Sequence, residues 1–307
     1  MRHFLVVNPG SANGDTGRRW PELAAAIARG IGAFEHAFTE GPMDGARIAT
    51  RALEDGFDCI AAVGGDGTIN EVVNGFFRDG RAINPKAALA VVPRGTGGDF
   101  RKTFNWDTTL ESAVARLASP STRPMDVGLL EFTDPQGRKA TRYFANICSF
   151  GVSGLVDQEV NKRSKALGGR LSFLLGSTRA LLRYKDRRVR FVADDRPAEE
   201  VDVTTLAVAN GRYFGGGMKV APDADPSDGL FDVTLWSGYT LMDFAFKSRA
   251  IYDGTHVNFA GTRRLRCTTL SAEPADGREV LLDVDGEQPG RLPCRMSILP
   301  SAMRLKT

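Results

Sequence analysis

The chain has 307 residues, 42% of them hydrophobic and 25% charged, with a formal net charge of +3. That length holds two domains or one large one, and the composition is that of a protein with a packed core. No run of about 18 apolar residues occurs, which excludes a conventional transmembrane helix, and so small a net charge leaves only its distribution to speak of partners.

Met1-Arg2-His3 leads straight into a strand pattern, without the apolar region or cleavage site of a signal peptide, so a cytoplasmic protein is expected. Phe4-Leu5-Val6-Val7 is a short apolar strand, and residues 8–14 are a loop of turn-formers. A helix follows with Leu23, Ala24, Ile27 and Ile31 on one face, then a strand over residues 34–39. A second helix over residues 44–54 turns Ile48, Ala49, Ala52 and Leu53 inward. The apolar run from Cys59 to Val63 delivers Gly64-Gly65-Asp66-Gly67-Thr68, after which Ile69, Val72, Val73 and Phe76 repeat at helical spacing. A Gly-rich turn between strand and helix leaves main-chain N–H groups unpaired where the helix dipole favours an anion, and glycines let that backbone approach a phosphate. A fourth strand, residues 88–92, delivers a second such loop, Pro93-Arg94-Gly95-Thr96-Gly97-Gly98-Asp99-Phe100. Alternating strands and helices predict a Rossmann-like, doubly wound parallel sheet, whose ligands bind beyond the carboxyl ends of the strands. Three Gly-rich loops leave those ends.

These loops resemble a known family. The run Gly64 to Thr68 is similar to the nucleotide-binding turn of diacylglycerol kinases, sphingosine kinases, NAD kinases and, more distantly, phosphofructokinases. It has neither the P-loop spacing nor that of G-x-G-x-x-G. Taken with Asn8-Pro9-Gly10-Ser11, the block ending Asn70-Glu71-Val72-Val73-Asn74-Gly75, and the loop from Pro93 to Phe100, it resembles the catalytic domain of bacterial diacylglycerol-kinase-type lipid kinases. One position departs, since Gly98 stands where the family commonly has Asn. The resemblance implies an ATP- and Mg²⁺-dependent kinase of diacylglycerol or a related lipid alcohol. It assigns nucleotide contacts to Asn8, Thr39, Gly64, Gly65, Asp66, Gly67, Thr68, Asn70, Gly95 and Thr96, and acidic site positions to Asp99 and Asp126. NAD kinases share the middle block, so an NAD kinase-like phosphotransferase is the alternative. A non-catalytic nucleotide- or lipid-binding regulator, motivated by Gly98, is another.

A helix over residues 108–118 closes the first unit, and Pro120 and Pro124 mark a linker. Beyond it, residues 125–132 and 141–149 read as antiparallel strands around Asp134-Pro135-Gln136-Gly137. Further strand-like runs follow at residues 189–193, 201–209, 230–236, 265–271, 280–284 and 291–299, the pattern of a β-sandwich or barrel. The expected domains are residues 1–124, rejoined by residues 300–307 as in the family, and a β-rich lipid-substrate domain over residues 125–299. Asp283-Val284-Asp285-Gly286-Glu287 taken alone is a turn. Matched to the family it is the catalytic segment, with Asp285 the general base and Glu287 orienting metal or phosphate. Pro222-Asp223-Ala224-Asp225-Pro226-Ser227-Asp228-Gly229-Leu230 is read either as a solvated turn or as a site for hard cations. The family match implies a structural Mg²⁺ on the Asp228 side chain and the Asp225 and Leu230 carbonyls.

Residues 161–190 carry ten Lys and Arg against the single acid Asp186, interleaved with leucines. An amphipathic helix packed on the β domain and a helix lying on an anionic membrane both fit. Association with the inner face of the membrane follows as an expectation; a homodimer is left open and nucleic acid is not expected. Cys59, Cys148, Cys267 and Cys294 lack metal or C-x-x-C spacing and read as buried thiols; His3, His36 and His256 read as structural.

Overall fold

The structure is a computed structural model and describes residues 1–95, 97–154 and 184–307. It divides into two units, Met1–Val127 with Pro300–Thr307, and Gly128–Leu299.

In the first unit, strand β1 (His3–Val7) is followed by helices α1 (Asp15–Arg18) and α2 (Trp20–Ile31), then β2 (Glu35–Phe38) and α3 (Asp44–Glu54). β3 (Cys59–Gly64) leads into α4 (Asp66–Gly75), the short hairpin β4 (Phe77–Arg78) and β5 (Arg81–Ala82), and β6 (Ala88–Pro93). Helices α5 (Asp99–Thr103) and α6 (Leu110–Ala118) precede β7 (Thr122–Thr133), which has residues in both units. The sheet order is β6-β3-β1-β2, all parallel, and the end of the last strand (Arg291–Lys306) adds alongside β6 at Arg304↔Ala88. β3 is buried at every position, as a central parallel strand covered on both faces must be. Leu5, Val7, Cys59, Ala61 and Val63 pack with Trp20, Leu23, Ile27 and Leu117 of α2 and α6 to form one core. The return is pinned by Lys306, which is buried and donates to the Ser119 carbonyl, and by Asp126, which accepts the Ser301 N–H at 2.6 Å.

The second unit is a sandwich. β8 (Lys139–Phe144) pairs with β7, and β9 (Ile147–Gly151) belongs to the other sheet. One sheet holds β10 (Arg187–Ala193), β11 (Glu199–Val203), β15 (Thr269–Pro274) and β17 (Arg291–Lys306); the other has the order β14 (Thr262–Cys267), β13 (Phe231–Trp236), β12 (Thr205–Ala209), β9, β16 (Leu282–Val284). The period-2 alternation of strands sorts the second sheet's side chains. Leu206, Val208, Val233, Leu235 and Phe150 face Val189, Phe191, Leu270 and Met296 across the sandwich. Ala207, Ala209, Ile147 and Trp236 turn to the opposite face, under Val220, Ala221 and Ile251.

Three runs that read as single strands in the sequence are each two. Residues 141–149 break at Ala145-Asn146, residues 201–209 at Thr204 and residues 265–271 at Thr268, and at each break the chain passes between sheets. A carboxylate answers the freed backbone at two of these corners. Asp285 accepts the N–H groups of Ala145, Asn146 and Ile147 at 3.1, 3.2 and 2.8 Å. Asp194 accepts those of Thr268 and Thr269, both at 2.9 Å. At the third, the Thr204 hydroxyl donates to Asp186 at 2.8 Å while its N–H reaches the Trp236 carbonyl. Asp194 and Asp285 both have φ near +50°, the left-handed region that Asp tolerates better than most residues.

A helix that the periodicity did not announce, α7 (Leu241–Asp253), opens with a capping box between Thr240 and Asp243. Residues 155–183, which hold most of the basic stretch, lie outside the described residues. Its last part corrects the helical reading: Arg187, Arg188 and Arg190 sit on β10, where Arg188 pairs with Glu200 and Asp202 and Arg190 with Glu273. Among the described residues no helix is long and apolar enough to cross a membrane.

Candidate active site

The first unit places three Gly-rich loops at one sheet edge because β1, β3 and β6 are parallel neighbours whose ends align, Val7 opposite Val63 and Gly64 opposite Pro93. β1 runs between β2 and β3, so the chain reverses its direction of winding there; such a switch point opens a crevice beyond the strand ends.

The loops are laced together by backbone and short polar side chains. Asn8 donates its N–H to the Val63 carbonyl at 3.0 Å and its Nδ2 to Thr68 Oγ1 at 3.1 Å, while Asn8 Oδ1 accepts the Gly10 N–H at 3.0 Å. The Arg94 N–H reaches the Gly64 carbonyl at 2.7 Å. A Cβ built on Gly95 would lie 2.6 Å from the Gly65 Cα, so the second and third loops touch backbone to backbone, and a Cβ on Gly64 would lie 2.3 Å from Thr68 Oγ1. Only glycine fits at either place. Thr39 follows β2, its N–H on the Val7 carbonyl at 2.9 Å. Gly65 caps α4 from an extended conformation, which aims the first N–H groups of a ten-residue helix at the crevice.

Other residues of the motif have positions that ligand contact alone would not require. Asp66 accepts the N–H groups of Asp99 and Phe100 at 3.1 and 3.2 Å and so fixes the third loop to the second. Burial, with the Asp99 carboxylate nearby, pushes the Asp66 carboxyl above its ordinary pKa, and those main-chain N–H groups pull the other way. Asn70 is fully buried and accepts from Asn74 Nδ2. Asp99 pairs with Lys102 at 2.8 Å, and Asp126 is buried against the return of the chain. Gly67 lies in the first turn of α4; Thr96 lies outside the described residues.

Two further residues hold this assembly together without a role announced by the motif. Glu71 accepts the N–H groups of Met43 and Gly45 at 2.9 and 2.8 Å and thereby caps α3. Arg94 holds Asp15 at 2.5 Å and so ties the third loop to the first. Glu71 stood inside the motif in plain view, whereas the partner of Arg94 is remote in sequence. Gly98 has φ +63°, a conformation open to Gly and to Asn alike, so its backbone role survives the departure from the family pattern.

In the second unit, Asp285 occupies the main-chain cradle at Ala145–Ile147 described above, a set of donors that suits an ionised carboxylate. Glu287 pairs with Arg142, Oε2 to Nη2 at 2.5 Å. Ser149 Oγ donates to Asp283 Oδ2 at 3.1 Å, and Asp283 Oδ1 accepts the Gly286 N–H at 3.0 Å, which shapes the turn that presents Asp285.

Around the expected metal ligands Asp225, Asp228 and Leu230 the two carboxylates are engaged by neighbouring protein groups. Asp228 Oδ2 is taken by Arg266, and its Oδ1 accepts the Leu230 N–H at 3.0 Å. Asp225 Oδ1 accepts from the Ser227 N–H and hydroxyl at 3.1 and 2.7 Å, and the Asp225 carbonyl accepts the Asp228 N–H. Among the described residues no group of three or more His, Cys, Asp or Glu is arranged to hold a metal. Burial pushes the neighbouring Asp232 carboxyl up in pKa, against the pull of Arg266 and Arg264.

A parallel α/β unit with Gly-loops at its switch point is joined in one chain to a β-sandwich, and the comparisons with known proteins say to which family this pair of units belongs. Residues 2–130 match the diacylglycerol kinase catalytic domain, and residues 146–307 match the YegS C-terminal NAD kinase beta sandwich-like domain. The chain belongs to the diacylglycerol-kinase-type, YegS-like family of lipid kinases: it is a phosphotransferase with an alcohol group as acceptor. It is 31% identical to "Probable lipid kinase YegS-like" of Pseudomonas aeruginosa (strain UCBPP-PA14) over 85% of this chain and 80% of that one. It is 26% identical to "Diacylglycerol kinase" of Mycobacterium tuberculosis (strain ATCC 25618 / H37Rv) over 85% of this chain and 81% of that one. The fold is shared with a solved diacylglycerol kinase of Bacillus anthracis str. Sterne, at TM-score 0.71 and 19% identity over 99% of this chain and 96% of that one.

Proposed function

We propose that the protein transfers the γ-phosphoryl group of ATP to the hydroxyl of diacylglycerol or a closely related lipid alcohol. The observation that carries this reading is the backbone-to-backbone contact of Gly65 with Gly95 at the N-terminus of α4, where main-chain N–H groups stand without a side chain over them, as phosphate binding requires. Asn8 and Thr68 steady that cradle, and Asp66 and Arg94 fix the loops around it. The attacking lipid oxygen forms its bond to the γ-phosphorus as the bond to the bridging oxygen of ADP breaks, and Asp285 receives the hydroxyl proton. Its three main-chain donors keep Asp285 oriented and suited to the charged form, and Arg142 holds Glu287 beside it in the same turn. A divalent ion carried by the nucleotide supplies neutralisation of phosphate charge when bound. Most of the barrier is lowered by positioning, which rigid loops provide.

The test is transfer of radiolabelled γ-phosphate from ATP to a panel of detergent-dispersed lipid alcohols, with NAD as a parallel acceptor. Label on a lipid alcohol and none on NAD is expected. Label on NAD alone would assign the chain to the NAD kinase reading, and label on neither to the regulator. Membrane association through residues 161–190 is part of the same proposal. Its check is sedimentation with anionic vesicles, with recovery falling as salt screens the charges beyond about 8 Å at physiological ionic strength.

A further inference from the structure

The acidic turn before β13 has the residue types of a hard-cation site and the geometry of an ion-pair cluster. β14 runs antiparallel to β13 in the register Asp232↔Arg266 and Thr234↔Arg264, so the two arginines, two positions apart, share a face of their strand. Both reach the turn. Arg266 donates from Nη2 to Asp228 Oδ2 and from Nε to Asp232 Oδ2, the second at 3.3 Å. Arg264 Nη2 lies 2.5 Å from Asp223 Oδ2 and 3.7 Å from Asp232 Oδ1. The guanidinium is a planar, permanently charged fork that binds carboxylates from several directions at once. A magnesium or calcium ion entering the turn needs a shell of six or more oxygens, and it would meet a positive charge already on Asp228 Oδ2.

We infer that Arg266, seconded by Arg264, stands in this chain where the fold family implies a structural cation, so that the protein neutralises the acidic turn with its own side chains. The folded state of the second unit is then independent of Mg²⁺. Any metal requirement of the reaction belongs to the nucleotide and its loops in the first unit. Three features agree with this. Asp232 is 4% exposed and has both arginines as partners, as a buried charge requires. Asp228 divides its two oxygens between a guanidinium and a main-chain N–H. Asp225 Oδ1 accepts from Ser227 within the turn, and the Asp225 carbonyl accepts the Asp228 N–H.

The experiment is thermal unfolding of the full chain without nucleotide or lipid, in EDTA and across a MgCl₂ or CaCl₂ titration at constant ionic strength. Its readout is separate from kinase activity, so it succeeds or fails independently of the proposed reaction. An ion that binds only the folded state raises Tm saturably by mass action. The parent is expected to show no saturable rise with either ion. Arg266→Ser should melt lower than the parent and gain a saturable rise, because the vacated carboxylates can then take a cation. Asp228→Asn should lower Tm and leave the parent's indifference to metal unchanged. A saturable rise in the parent that Asp228→Asn removes would overturn the inference. So would a folded Arg266→Ser protein indifferent to both ions, since the guanidinium would not then be standing on a cation site. If Arg266→Ser does not fold, the parent and Asp228→Asn decide the matter between them.

Discussion

The Gly-rich loops of the first unit and the sheet corners of the second face the same problem and solve it in opposite ways. Each must hold irregular backbone in one conformation. At Gly95 the solution is the absence of a side chain, which lets that loop lie directly on Gly65 of the next, and at Gly64 it makes room for Thr68. At Ala145-Asn146 and Thr268-Thr269 it is the presence of a carboxylate, Asp285 or Asp194, that gathers main-chain N–H groups. Gly64 and Gly95 therefore cannot tolerate an added atom, and the corners cannot tolerate a lost acceptor.

The largest effect expected is at the loops. Gly95→Val puts a Cβ 2.6 Å from the Gly65 Cα, with backbone on both sides and no flexible group to yield. Displacing the loops by even about 1 Å should cost about 10²-fold or more in kcat/KM. Calorimetric titration with ATP should show binding lost while the circular dichroism spectrum stays that of the parent; unaltered ATP affinity would remove the cradle from the mechanism.

Next comes the corner that coincides with the catalytic turn. Asp285→Asn replaces one acceptor oxygen by an NH₂ group facing main-chain N–H donors, so it should lower both Tm and kcat, the latter by about 10²–10⁴-fold. Asp194→Asn makes the same exchange at the other corner and should lower Tm comparably with kcat unchanged. Equal kcat losses in the two variants would mean that Asp285 acts through the fold alone.

A smaller effect shows that the acceptor device is not confined to the sandwich. Glu71→Ala deprives the start of α3 of two N–H acceptors and should cost about 0.5–2 kcal/mol, read as a lower midpoint in urea. The smallest concerns His3. Burial and the nearby Lys306 ammonium lower its pKa, so the unfolded chain takes up the proton first. Its share of stability is therefore present above pH ~6.5 and is lost as pH falls below that value. His3→Gln should flatten the dependence of Tm on pH below ~6.5.

The same contrast explains what was legible in the sequence. The Gly-loops are local events: an apolar strand, a turn of small residues and a helical repeat follow one another within about 15 residues. The parallel sheet and the β-rich second half could therefore be read directly, and the family models match both halves. The corners are not local. Ala145-Asn146, Thr204 and Thr268 carry no strong turn signal, apolar residues continue through them, and the group that breaks each strand comes from elsewhere in the chain. Asp285 lies about 140 residues beyond the corner it holds. The acidic turn shows the same limit, because its aspartates are contiguous while Arg264 and Arg266 are supplied by a later strand. Helix α7 is a different case, since its Thr240–Asp243 capping box was present to be read.

The last strand has a consequence for how the protein is made. Residues 300–307 complete the first unit: Arg304 and Leu305 line the edge of β6, and the Lys306 ammonium is buried on the Ser119 carbonyl. During synthesis from the N-terminus, β6 emerges long before these residues and must wait through the whole sandwich with an unpaired edge. An open parallel edge is a template for pairing with another chain. The nascent first half is thus the aggregation-prone stage of this protein's life, and a fragment ending near Val127 should be insoluble where the full chain is not.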